Sequence, residues 1–153
     1  MLGKLSHDQI ANVLNRQAIG RIGCMEDGKI YITPISYAFD NGSIYSHSME
    51  GLKIKIMRNN PSVCFQVDAI ENMTNWRSVI IWGEFEEIKN EVDYEAAKRI
   101  LTNRLDPFVI SSAVQPHHEN DKYPYQYAEK GKRILLFKIR IMEQSGRYEK
   151  SNS

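Results

Sequence analysis

The stretch Ile44–Asp68, IYSHSMEGLKIKIMRNNPSVCFQVD, sets a short basic segment between two strand-like ones. Ile44–Ser48 and Ser62–Asp68 are rich in the β-branched and aromatic residues that suit a pleated surface. Between them Gly51 opens a run holding Lys53, Lys55 and Arg58, and Asn60-Pro61 closes it. The run reads as a short helix delivered by the end of a strand. The first N–H groups of such a helix lack internal acceptors and carry partial positive charge. With a lysine and the Ser48 hydroxyl nearby they can hold a phosphate. Lys53 and Lys55 are two residues apart, about 200° around a helix. Lys53, in the first turn, can reach an anion at the N-terminal end, whereas Lys55 turns away, roughly with Arg58. The competing reading of the same pattern is an ordinary solvated basic face.

Outward from this stretch the chain is mostly strand. Asp27-Gly28 and Asn41-Gly42 supply the positive φ angles of two-residue hairpin turns. They make Ala18–Asp40 a hairpin and Ser43–Ser48 the third strand of a meander. Pro34 cannot donate to a ladder and marks an edge or a bulge. Ser62–Ala69 and Trp76–Ile88 read as the fourth and fifth strands. Arg133–Met142 reads as the sixth, with Leu135, Phe137, Ile139 and Ile141 alternating against Lys138 and Arg140. At the start, Ser6 and Gln9 form a capping box, Leu5 and Ile10 a hydrophobic staple, and Ile10, Val13, Leu14 and Gln17 share one helical face. A second long helix is capped by Asn90 and carries the stripe Val92, Ala96, Ile100 and Leu105, with Pro107 just past its end.

Six strands joined mainly by short turns, with helices between, predict a mainly β fold, an antiparallel barrel closed or nearly closed. One domain is expected over residues 1–146, followed by a disordered tail, 147–153. Several strands are apolar on both faces: Ile30 and Ile32 against Tyr31, Ile35 and Phe39, and Val79 and Ile81 against Ile80 and Trp82. One barrel core cannot use both, so a partner subunit is expected on the outside.

Composition excludes some classes. The 153 residues are 42% hydrophobic and 25% charged, with a net charge of +1, so there is no global field to capture nucleic acid or an anionic membrane. No apolar run approaches the ~20 residues that span a bilayer. The N-terminal residues lack the apolar core of a signal peptide, and a cytoplasmic location is the expectation. Cys24 and Cys64 form neither a disulfide framework nor a zinc site and read as buried, inert thiols. His117-His118 has no third ligand at a fixed spacing, so no metal is expected. No nucleophile elbow is present.

The order of these segments resembles the pyridoxamine 5′-phosphate oxidase-like FMN-binding split barrels, nearest the nitroimidazole-resistance-type branch. The similarity rests on IGRIGCMEDGKIYITPISYAFDNGSIYSHS, on the Gly-x-Lys and Asn-Asn-Pro run before VCFQVD, and on WRSVIIWGEFEEI, and spans about Ile10 to Leu105. It implies a six-stranded split barrel with FMN at a homodimer interface. Lys53 with His47 and Ser48 would hold the phosphate. Backbone groups of Pro34, Ile35, Ser36 and Tyr37 would line the isoalloxazine edge. Arg77, Ser78 and Val79 would make further flavin contacts, with Arg77 a candidate to stabilise the reduced, anionic ring. Pyridoxamine phosphate oxidases continue into a segment with arginines and a Trp, whereas EQSGRYEKSNS follows the last strand here, so oxidation of the vitamin is not expected. The implied activity is FMN-dependent electron transfer from a nicotinamide to a nitro compound, a quinone or a free flavin. The alternative is a carrier or sensor that binds flavin or heme without turnover. Trp76 and Trp82 can stack on a flavin or pack an interface. Ser111–Lys132, with Pro116, Pro124, Tyr123, Tyr125 and Tyr127, is expected to be a long loop shaping the substrate side.

Overall fold

The structure is a computed structural model that describes residues 1–112 and 134–152, with 107–112 described by their backbone alone. In chain order the elements are β1 (Leu2–Lys4), α1 (His7–Arg16), β2 (Ile19–Glu26), β3 (Lys29–Ser36), β4 (Ala38–Asp40), β5 (Ser43–Ser48), α2 (Leu52–Asn59), β6 (Ser62–Asn72), β7 (Asn75–Glu87), α3 (Glu91–Ser112) and β8 (Leu135–Glu149). The strands form one antiparallel sheet in the order β3-β2-β6-β7-β8-β5-β4, with β1 added to β8. Both hairpin turns have the expected geometry, with φ of 51° and 77° at Asp27 and Gly28, and 43° and 78° at Asn41 and Gly42. Pro34 lies on β3, at one end of the sheet order.

The sheet curls so that β3 and β5 approach without a ladder between them. Ser46, fully buried, donates its hydroxyl to the Ser36 carbonyl at 2.7 Å across this gap. The result is a split barrel. Its interior is filled by alternating residues such as Ile22, Phe65, Val67, Val79, Ile81 and Ile139. Helix α1 adds Ile10, Val13 and Leu14 to that core, and its capping box is formed as the sequence predicts. The C-terminal carbonyls of α1, which have no helical partners, are met from outside. Tyr37 donates its phenol to Leu14 O at 2.8 Å, and Arg104 donates to Gln17 O at 3.1 Å.

Several expectations are corrected. Eight strands replace six. Three-residue β1 is too short to show a period, yet it pairs Leu2–Lys4 with Arg147–Glu149. The buried Tyr37 separates β3 from β4, where one long strand was expected. The expected tail from residue 147 is ordered as far as Glu149, because β8 runs between β1 and β7 there. Helix α3 continues through Pro107 to Ser112, at the loss of one backbone hydrogen bond. Its packed face is Tyr94, Ala97, Leu101 and Leu105, while Val92 is 77% exposed. Tyr94 sets that rotation by donating its phenol to Ile134 O at 2.7 Å. The first residues of the expected Ser111–Lys132 loop end α3. Its remainder, with His117, His118 and the three tyrosines, lies outside the described residues. Among the described residues no helix is long and apolar enough to cross a membrane.

Candidate functional site

The three cations of the opening stretch have three different environments. Arg58, in the last turn of α2, is tied to Glu87 at 2.8 Å and also pairs with Glu50. Lys55 is exposed. Lys53 is half-buried and makes no ion pair among the described residues. The helix itself is fixed from both sides. Ile54, Ile56 and Met57 enter the core. At its C-terminus, Asn59 donates to Glu26 at 2.8 Å and the capping Asn60 to Met25 O at 3.0 Å. The Asn-Asn-Pro run is therefore a clamp that sets α2 against β2.

At the other end, Gly51 caps α2 with extended backbone, and among the described residues no side chain makes a cap hydrogen bond there. Any residue could adopt this backbone. A Cβ at Gly51 would meet nothing nearer than Met49 O at 4.0 Å, so the space over the helix end is open. Lys53 projects from this turn close enough to His47 and Cys24 for their charges to interact. Burial, helped by the lysine charge, holds the His47 imidazole down at a pKa of about 4. It is neutral at physiological pH. Burial also lowers the Lys53 pKa, against the opposing influence of Cys24. It pushes the Cys24 thiol up despite the nearby lysine. Ser48, buried at the end of β5, gives its proton to Met49 O at 2.7 Å. Its oxygen can accept but the proton is engaged. Lys53 thus places a positive charge beside the neutral His47 and the N-terminal end of α2.

The other expected site residues are placed elsewhere. Ile35 and Tyr37 are buried in the core, and the Tyr37 N–H already bonds to Ala18 O. Ser36 accepts from Ser46, and Pro34 is exposed on the outer face of β3. On β7, Val79 is fully buried, and Arg77 and Ser78 point to opposite faces by the period of a strand. Ser78 lies outside, where its Oγ accepts from Gln66 at 3.0 Å. Gln66 also donates to Asp68 at 2.9 Å, and Asp68 pairs with Arg21 at 3.4 Å. Sequence reasoning missed this outer network because its members come from three strands. Arg77 is exposed on the strand face that carries Val79 and lines a groove beside α1.

The outer face is apolar. Ile30 and Ile32 are 66% and 67% exposed, and with Met25, Cys64, Trp82 and Met142 they line a shallow concavity of about 560 Å³. Cys64 points outward here, half-buried, whereas Cys24 faces the core, so the expectation of two buried thiols holds for Cys24 alone.

A barrel split between β3 and β5, with a short basic helix following β5, defines the class: a mainly β split barrel. The chain belongs to the pyridoxamine 5′-phosphate oxidase family, whose sequence pattern it matches over residues 6–147. The solved structure of an FAD-binding protein from Mesorhizobium loti is similar, with a TM-score of 0.76 and 28% identity, covering 97% of this chain and 98% of that one. A candidate 5-nitroimidazole antibiotic resistance protein from Bacteroides thetaiotaomicron shares the fold at TM-score 0.71 and 17% identity, covering 97% of this chain and 87% of its own. A FAD-binding protein from Mycobacterium smegmatis shares it at TM-score 0.66 and 20% identity, covering 97% and 100%. An uncharacterized protein of Rhizobium meliloti (strain 1021) is 33% identical over 84 residues, which span 55% of this chain and 56% of that protein.

Proposed function

We propose that the chain is a homodimeric, FMN-dependent oxidoreductase that passes electrons from a nicotinamide to a small electrophile such as a nitro compound, a quinone or a free flavin. The observation that carries this reading is Lys53, a half-buried cation with no ion pair among the described residues, beside a helix N-terminus that no described side chain caps. Burying a cation without a partner is costly. A phosphate would supply the missing charge and the missing acceptors. One lysine at one helix end suits the terminal phosphate of FMN, whereas FAD offers a bridging diphosphate. The description of the Mesorhizobium loti relative as FAD-binding supports a flavin.

Distance supports the dimer. Lys53 lies by Cys24 on the core side of β2, level with Gly83 of β7. Ser78 is five residues further along β7 on the opposite face, ~16 Å away at ~3.3 Å per residue. One chain does not bring both to one flavin, and a second copy seated on the Ile30–Ile32–Trp82 face could supply its own Ser78. Because Ser78 Oγ already accepts from Gln66, its proton is free to be donated to the flavin edge. Within each cradle Lys53 and the α2 N–H groups bind the phosphate, with His47 and Ser48 beside it at the end of β5. The bound flavin would supply the redox chemistry, and the protein binds and orients it. The test is the visible spectrum of the purified chain after incubation with FMN. Retained oxidised-flavin bands that bleach on adding NADH or NADPH are expected. Failure to retain FMN, or a heme band in its place, would overturn the reading.

A further inference from the structure

We propose that the groove between α1 and the far end of the β6–β7–β8 sheet is a second ligand site, which takes the phosphate ester of an aromatic-ring compound. The groove holds about 630 Å³, within the range of small-molecule sites. It lies on the α1 side of the sheet, opposite the exposed Ile30–Ile32–Trp82 face, so it is independent of the flavin reading and stays open in a dimer formed through that face.

Its walls have a consistent origin. Gln9, Asn12 and Arg16 recur at helical spacing along α1, beside the buried stripe of Ile10, Val13 and Leu14, and all three line the groove. Strand alternation sends Arg77 into the groove and away from Ser78. Among the described residues, no hydrogen bond or ion pair engages the side chains of Asn12, Arg16 or Arg77. Three convergent polar groups without protein partners thus surround one concavity. Trp76 borders the groove, but strand alternation turns its indole to the Ser78 side, where the N–H donates to Glu149 at 3.0 Å. That bond occupies one of the two carboxylates in the lining. The other, Glu71, is exposed, and Lys150 adds a further cation. Two guanidiniums present paired N–H groups that match a phosphate oxyanion, and Tyr148, which lines the groove and pairs with Arg77 across the β7–β8 ladder, suits a flat ring beside it.

The experiment is calorimetric titration of the purified full-length chain with AMP and with adenosine, with FMN content read from absorbance. AMP should bind once per chain and adenosine at least tenfold more weakly. Arg16→Gln and Arg77→Gln should each weaken AMP by about ten- to a hundredfold, the loss of a charge-assisted contact. Asn12→Asp, which adds a carboxylate to the groove without touching the core, should weaken AMP in the same direction. Arg16→Gln should leave flavin content unchanged, and Lys53→Ala should leave AMP affinity unchanged. An absence of AMP binding, equal affinity for adenosine, or indifference to the arginine variants would each overturn the proposal. So would loss of AMP binding in Lys53→Ala, which would show AMP reading the flavin cradle. AMP binding that depends on Arg16 in a chain that takes up no flavin would support the groove and reject the redox reading alone.

Discussion

Lys53 and Lys55 are one residue type in one eight-residue helix, and their environments differ entirely. A spacing of about 200° around the helix already separates them. The structure adds that Lys53 is half-buried beside His47 and Cys24, while Lys55 is exposed. Lys53→Ala should therefore weaken FMN binding by about ten- to a hundredfold, from a charge-assisted contact of roughly 1.5–3 kcal/mol. Lys55→Ala should change it less than about threefold. Riboflavin, lacking the phosphate, should bind the wild type and Lys53→Ala alike. Fluorescence titration of the three proteins with both flavins measures this, and a greater loss in Lys55→Ala would refute the cradle. At this scale the sequence was informative because Gly-x-Lys at a strand end has a chemical meaning on its own. The hydroxyl of Ser48 was harder to read, since its donation to Met49 O depends on how the backbone turns after β5.

Among the elements, hairpins and caps were readable because their signals are local. Asp27-Gly28, Asn41-Gly42 and the Ser6–Gln9 box each act within four residues. The face of α3 was misread because Tyr94 is polar at its tip, and its burial is decided by the distant Ile134 carbonyl. Strand β1 exists only through its pairing with the end of β8, which itself is held between β1 and β7, so neither leaves a pattern in its own segment. The β7–β8 ladder has a further non-local requirement. Its register shifts between Trp82 and Gly83, and a Cβ at Gly83 would sit 2.3 Å from Arg140 O. A backbone atom cannot rotate aside as a side chain can. Gly83→Ala should lower stability by about 1–3 kcal/mol, read as a lower urea midpoint at unchanged slope. Wild-type stability in this variant would mean that the bulge relaxes freely.

For the whole molecule, the barrel was legible from strand count and turns, and the outer surface from strands apolar on both sides. Ile30, Ile32 and Trp82 are indeed left exposed by the folded chain. A dimer through this face should bury more than ~1,000 Å². Light scattering at micromolar concentration should give twice the chain mass. Ile32→Lys, which places a charge on an edge-strand position already facing outward, should give the monomer with the fold retained. A monomeric wild type would remove the shared flavin site, since Lys53 and Ser78 would then have no common ligand. What one sequence could not convey is which faces meet, because that depends on the positions of two chains. The place of β8 in the sheet has another consequence. It is the last strand in chain order, yet it lies between β7 and β5. Until it has been synthesised, the β3-β2-β6-β7 half and the β5-β4 half have no shared ladder, and β5 and β7 both present open edges. Closure of the barrel must therefore follow emergence of the last strand from the ribosome, through pairings distant in sequence that form slowly. During that interval the nascent chain displays the unpaired edges on which aggregation begins.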